Sequence, residues 1–120
     1  VELVDADPEQ LLLEFRGLTP PPALHAALAQ LQTLAARVAD VEREIGLATA
    51  RQQEITQDQA RLRANLDAVP RDSDLAKRYL QQLGASEDEL TELSRRLTAL
   101  RGEREQAAAA RLAFIRSLKV

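Results

Sequence analysis

The chain has 120 residues, a formal net charge of −3 and no cysteine. That length holds one domain at most, the charge offers no global attraction for nucleic acid or an anionic membrane, and the cysteine count excludes a disulfide framework and thiolate chemistry. Apolar residues make up 45% of the chain but aromatics only 2%, so Leu, Ala, Val and Ile must build the core, as in packed helices.

Residues Val1-Glu2-Leu3-Val4 read as a short extended piece, and the absence of an initiator Met reads as a segment cut from a longer protein. Asp7-Pro8-Glu9-Gln10 is a helix start: Asp7 caps, Pro8 suits the first helical position and Gln10 completes a capping box. Leu11, Leu12, Leu13 and Phe15 follow, and Gly17 supplies a stop. The expectation for residues 1–19 is an extended segment and a helix of about two turns. Thr19-Pro20-Pro21-Pro22 then forms a linker or first turn, since three prolines without backbone N–H groups fit nowhere deeper.

From Leu24 a spacing of alternating threes and fours passes through Ala27, Leu31, Leu34, Val38, Val41, Ile45, Ala48, Gln52, Ile55, Gln59, Leu62, Leu66 and Val69. It restarts at Ala76 and runs through Tyr79, Leu83, Ser86, Leu90, Leu93, Leu97, Leu100, Arg104, Ala107, Arg111, Phe114 and Leu118. Twelve of the fourteen positions in the first set and ten of the thirteen in the second are apolar. A 3.5-residue period sustained this long means supercoiled helices that bury one seam. The intervening Val69-Pro70-Arg71-Asp72-Ser73-Asp74 can only reverse direction. Val69 is biased away from helix by Pro70, Asp72 or Ser73 can cap the return, and Asp74 favours its positive end. The expected fold is therefore all-α: a long antiparallel two-helix coiled-coil hairpin over residues 20–120. Its arms lie at about 21–69 and 73–118 with the turn at 70–72, each arm roughly 70 Å long at 1.5 Å per residue.

Register follows from the turn. Leu66 faces Tyr79, Leu62 faces Leu83, Ile55 faces Leu90 and Leu31 faces Phe114, with Gln59 opposite Ser86 as the polar layer that sets alignment. Gly84 costs about 1 kcal/mol relative to Ala inside a helix, and Ser86 with Glu89 matches a capping box. The heptad phase nevertheless runs through, which favours a continuous return helix. Leu28, Leu112 and Ile115 widen the apolar stripe at the open end, where Leu11, Leu12 and Phe15 can pack as a third helix. Leu47, Leu75 and Leu80 are left over and mark a surface for self-association or a partner.

Chemistry-bearing constellations are sparse. His25 is the single histidine and has no second His or Cys to share a metal or a proton with. The acids Glu87, Asp88, Glu89, Glu103 and Glu105 fall mostly outside the seam, and Glu92 with Arg96 has the spacing of a helix-stabilising pair. A thin hairpin offers no sheltered pocket in which to shift a catalytic carboxylate. No phosphate-binding glycine loop or nucleophile elbow is present. The expectation is a non-enzyme without cofactor, metal or small-molecule substrate. Arg61, Arg63, Arg71, Lys77 and Arg78 cluster at the turn among Asp58, Asp67, Asp72 and Asp74. The signs nearly cancel and Tyr79 alone is no stacking platform, so nucleic acid is not the expected partner. Surface pairing and capping account for these charges on one reading. On the other, Arg61, Arg63, Arg71 and Arg78 with Leu75 and Leu80 form a docking tip for a second copy or another protein. Arg104 and Arg111 occupy seam positions, where their stems can cover apolar surface or their heads meet acids of another chain.

The run Ile55-Thr56-Gln57-Asp58-Gln59-Ala60-Arg61-Leu62-Arg63-Ala64-Asn65-Leu66 and the return Asp72-Ser73-Asp74-Leu75, Arg78-Tyr79-Leu80, Leu83 and Glu87 resemble the C-terminal helical hairpin of uncharacterised bacterial proteins related to the mucoidy-inhibitor family. The resemblance covers most of the chain and implies a hairpin behind a β-rich domain, with no catalytic residues and a setting in envelope biology. A second resemblance is to the α-hairpins of periplasmic efflux adaptors, whose tips dock on an outer-membrane channel through an Arg, a Leu four residues on and a Ser seven further. Leu66 and Ser73 hold the last two places here, but Leu62 stands in the Arg place.

Overall fold

The computed structural model describes residues 21–118. It is all-α, an antiparallel helical hairpin of α1 (Pro22–Asp67) and α2 (Asp74–Ser117). The expected short N-terminal helix, with Leu11, Leu12 and Phe15, lies outside the described residues.

The helix ends follow local chemistry. Pro22 begins α1, and the Pro21 carbonyl accepts the His25 N–H at 2.9 Å, so the prolines fall where no helical donor is missed. At the other end the Ala68 and Val69 N–H groups bond to the carbonyls of Asn65 and Leu66, three residues back, at 3.2 and 3.4 Å. That tightening ends the helix two residues before the expected 69, because Val69 precedes Pro70 and is excluded from helical geometry. Of the two candidate caps, Ser73 is the one used. Its Oγ accepts the Ala76 N–H at 3.2 Å, while its hydroxyl donates to the Pro70 carbonyl at 2.5 Å. One side chain thus closes the turn and satisfies a donor of the α2 first turn. Asp74 adds a negative charge there. Helix α2 is continuous through Gly84.

Every seam position expected from the spacing is buried or half-buried. Lettered as a heptad, with Leu31 and Leu97 at a and Val41 and Leu100 at d, the seam is flanked by e and g positions. The chain divides into two units, an open-end unit of residues 21–43 with 101–118 and a tip unit of Glu44–Leu100. The tip unit buries Ala48, Ile55, Leu62, Ala76, Leu97 and Leu100, and with them Gln59. The open-end unit buries Leu31, Val41 and Ala107 on the seam, and also Leu28 and Ile115 at e. Burying a side chain such as Leu62 or Leu31 stabilises by roughly 1.5–3 kcal/mol.

Within the tip unit, three ion pairs cross between the helices, and each joins like heptad positions. Arg51 meets Glu89 and Glu44 meets Arg96, g to g, while Arg63 approaches Glu87, e to e. Antiparallel helices place g beside g and e beside e, so these contacts define both direction and alignment. The alignment is within a residue of the expected one, since Gln59 meets Glu87. The partner differs, however. Ser86 turns its hydroxyl back to the Gln82 carbonyl at 2.9 Å, and Gln59 Nε2 donates to Glu87 Oε1 at 2.9 Å instead. The short serine satisfies itself locally, and the longer e-position carboxylate reaches the seam. The pair expected between Glu92 and Arg96 is also replaced. Arg95, on the outer face, takes Glu92 at 2.8 Å, whereas Arg96 at g reaches Glu44 at 3.5 Å.

Candidate interaction surface at the hairpin tip

The six residues marked as partner contacts all lie in the tip unit, but they differ in what they do. Arg61 is held on its own helix by Asp58, with Nε and Nη2 at 3.0 and 2.9 Å from Oδ1. Arg63 sits 3.9 Å from Glu87. These two accord with the surface-pairing reading. Arg71 and Arg78 are exposed and make no ion pair or side-chain hydrogen bond among the described residues. Leu75 is 43% exposed and Leu80 is 53% exposed.

Leu75 and Leu80 do not form one patch. Five residues of α-helix separate them by roughly 140°, so Leu75 borders the g flank and Leu80 the e flank. Arg78 is one turn on from Leu75 and shares its face, and Arg71 lies in the turn leading to it. The tip therefore offers an apolar side chain with two uncommitted guanidinium groups beside it. Leu47, at 66% exposure, is the third exposed large apolar side chain among the described residues and sits at c, away from the tip residues.

The sequence reading missed the most ordered charged contact in the tip unit. Arg51 binds Glu89 with two parallel bonds, Nε to Oε2 at 2.6 Å and Nη2 to Oε1 at 3.0 Å, and its Nη1 also reaches Glu54 at 3.2 Å. The hydrogen bonds from Arg51 hold the Glu89 carboxyl below its ordinary range, and the same bonds raise Arg51 further. The signal was present in the heptad letters, with opposite charges at Glu44 and Arg51 on one g row and Arg96 and Glu89 on the other.

Arg51, Glu54, Ile55, Asp58, Ala85, Ser86 and Glu89 line a recess in the tip unit, but its acids are solvated and already serve Arg51 and Arg61. Among the described residues no three metal-ligating side chains converge, and no helix is long and apolar enough to cross a membrane. His25 is exposed in the first turn of α1. Arg104 and Arg111 are half-buried on the seam of the open-end unit, consistent with stems that cover apolar surface.

Comparison with protein-family models, curated proteins and solved structures gives no match to this chain.

Proposed function

We propose that this chain is a non-catalytic coiled-coil interaction module whose tip contacts a second copy or another protein. The single observation that carries the reading is Leu75, exposed beside the uncommitted Arg71 and Arg78 in a unit whose seam is otherwise filled. Arginine is enriched among the anchors of protein interfaces, and an exposed leucine beside it adds apolar area to bury. Leu80 offers a second anchor on the other flank. The heptad seam supplies stiffness, and the resemblance to hairpins of mucoidy-inhibitor-related bacterial proteins favours a structural role within a larger protein. The efflux-adaptor alternative fares worse, because Leu62 in its Arg place is only 1% exposed and faces the seam.

The test is solution mass by size-exclusion chromatography with light scattering over a concentration series, on the chain and on Leu75→Glu/Leu80→Glu. A dimer that the double substitution dissociates supports self-association through the tip. A monomer throughout moves the reading to a different protein. A dimer that ignores the substitution would remove the tip from the interface.

A further inference from the structure

Leu47 is 66% exposed, more than either leucine of the tip surface, and the proposed tip contact does not use it. It lies on α1 between Glu44 and Arg51, which reach across to Arg96 and Glu89 of α2. Leu93 lies on α2 between those same two partners. Leu47 and Leu93 are therefore at one height along the tip unit, bracketed by the same two ion pairs. At this height α2 has a recess lined by Glu89, Glu92, Leu93, Arg95, Arg96 and Ala99. Its charged groups are already committed within the chain, Glu89 to Arg51, Arg96 to Glu44 and Arg95 to Glu92. What remains to be covered there is apolar, the half-buried Leu93 and the exposed Ala99. One flank thus carries an exposed apolar knob on α1 and, on α2, a recess with no charge to spare.

We infer that this flank pairs with the same flank of a second copy, Leu47 of each chain entering the recess of the other. The inference is independent of the tip reading and shares none of its residues. Self-complementarity is what points to a second copy. A two-fold axis parallel to the hairpin, in the plane of the flank, keeps every height and exchanges the two helices. It sets Leu47 over the partner's Leu93, Glu44 over the partner's Arg96 and Arg51 over the partner's Glu89. Knob meets recess and each of these charges meets its opposite in a single operation. A two-fold axis across the hairpin would instead set Leu47 against the partner's Leu47 and leave both recesses empty. Residues 44–58 of α1 span about 22 Å, and two helices side by side are about 20 Å wide. A footprint of that size is at the low end for specific association, so the dimer forms at high concentration.

The test is sedimentation equilibrium up to about 1 mM chain, where even a weak interface is populated. A dimer is expected, and Leu47→Glu should raise its dissociation constant on the order of tenfold or more. Ala99→Lys, which obstructs the recess, should do the same, whereas Leu75→Glu/Leu80→Glu should not. Leu47 and Ala99 are exposed, so both variants should keep full helical circular dichroism. The chain has no native cysteine, so a spin label on Asp67→Cys reads the axis. Asp67 is about 30 Å along α1 from Leu47. The parallel pairing puts the two labels within about 40 Å of each other, and pairing across the hairpin puts them at least about 60 Å apart. A monomer throughout, a dimer indifferent to Leu47→Glu, or the longer label distance would each overturn the proposal. A short label distance abolished by Leu75→Glu/Leu80→Glu but not by Leu47→Glu would assign self-association to the tip and overturn it too.

Discussion

Gln59 is 3% exposed in a row that otherwise holds Ile55 and Leu62. Its amide has one charged partner, Glu87, which is itself exposed. A buried amide with so few partners costs stability and contributes alignment. Gln59→Leu is therefore expected to raise the melting temperature and to let the helices slip, read as a second set of amide resonances for the tip unit. A lower melting temperature would mean that the bond to Glu87 outweighs desolvation. Glu89 behaves differently. Its carboxyl is held low by Arg51, so its contribution is complete above the ordinary Glu value, about 4.3, and is lost as the pH falls through the depressed folded value. Glu89→Gln should remove part of the acid-side loss of stability in melts at successive pH values. The difference should shrink in high salt, because both partners are half solvated. Ser73→Ala should cost about 1 kcal/mol in urea unfolding, the usual value for an N-cap.

At the scale of the helices, the heptad pattern carries most of the information. Leu62, 1% exposed, is the clearest case. Leu62→Asp should unfold the tip unit, seen as a loss of helical circular dichroism, because an unpaired charge cannot occupy that seam. Gly84 marks the opposite situation, since a Cβ there would meet nothing within 4 Å. Gly84→Ala should stabilise by about 1 kcal/mol in the same unfolding assay. These elements were legible because apolar spacing, a proline and a serine each act locally or through one repeating period. Leu31, Ile55 and Leu97 were placed by period alone. The polar partners were less legible. Ser86 was expected to answer Gln59 because it shares the layer, yet a hydroxyl that can reach Gln82 has no need of the other helix. Arg96 was given to Glu92 by spacing along one helix, although its g position turns it toward Glu44. Side-chain length and flank decide such pairings, and spacing counts record neither.

Across the molecule, each unit has its own means of using the flanks. The tip unit carries Glu44, Arg51, Glu89 and Arg96 at g and Arg63 and Glu87 at e, and these charges pair between helices. The open-end unit instead places Leu28 and Ile115 at e and buries them. Charged flanks select a partner by complementarity, whereas apolar flanks demand coverage. The candidate tip surface was only half legible for the same reason. Leu75 and Leu80 stood out as apolar residues off the seam, but nothing in the spacing separated the committed Arg61 from the uncommitted Arg78. Leu75→Glu should therefore weaken any tip contact without lowering the melting temperature of the isolated chain by more than a degree or two, since the residue is 43% exposed.

The capped turn also sets a folding order. Gln59 and Glu87 are 28 residues apart in sequence, and Arg51 and Glu89 are 38 apart. Lengthening a closed loop over that range costs only about 0.3 kcal/mol, but every cross-helix contact requires the reversal at Pro70–Ser73 first. Pairing should then begin beside Ser73 and spread outward like a zipper. In stopped-flow measurements Ser73→Ala should slow folding with little effect on unfolding, because the cap belongs to the nucleus. Leu97→Ala, farther from the turn, should mainly accelerate unfolding. A single hydroxyl that closes the turn and caps the second helix would thus act as the kinetic trigger for the tip.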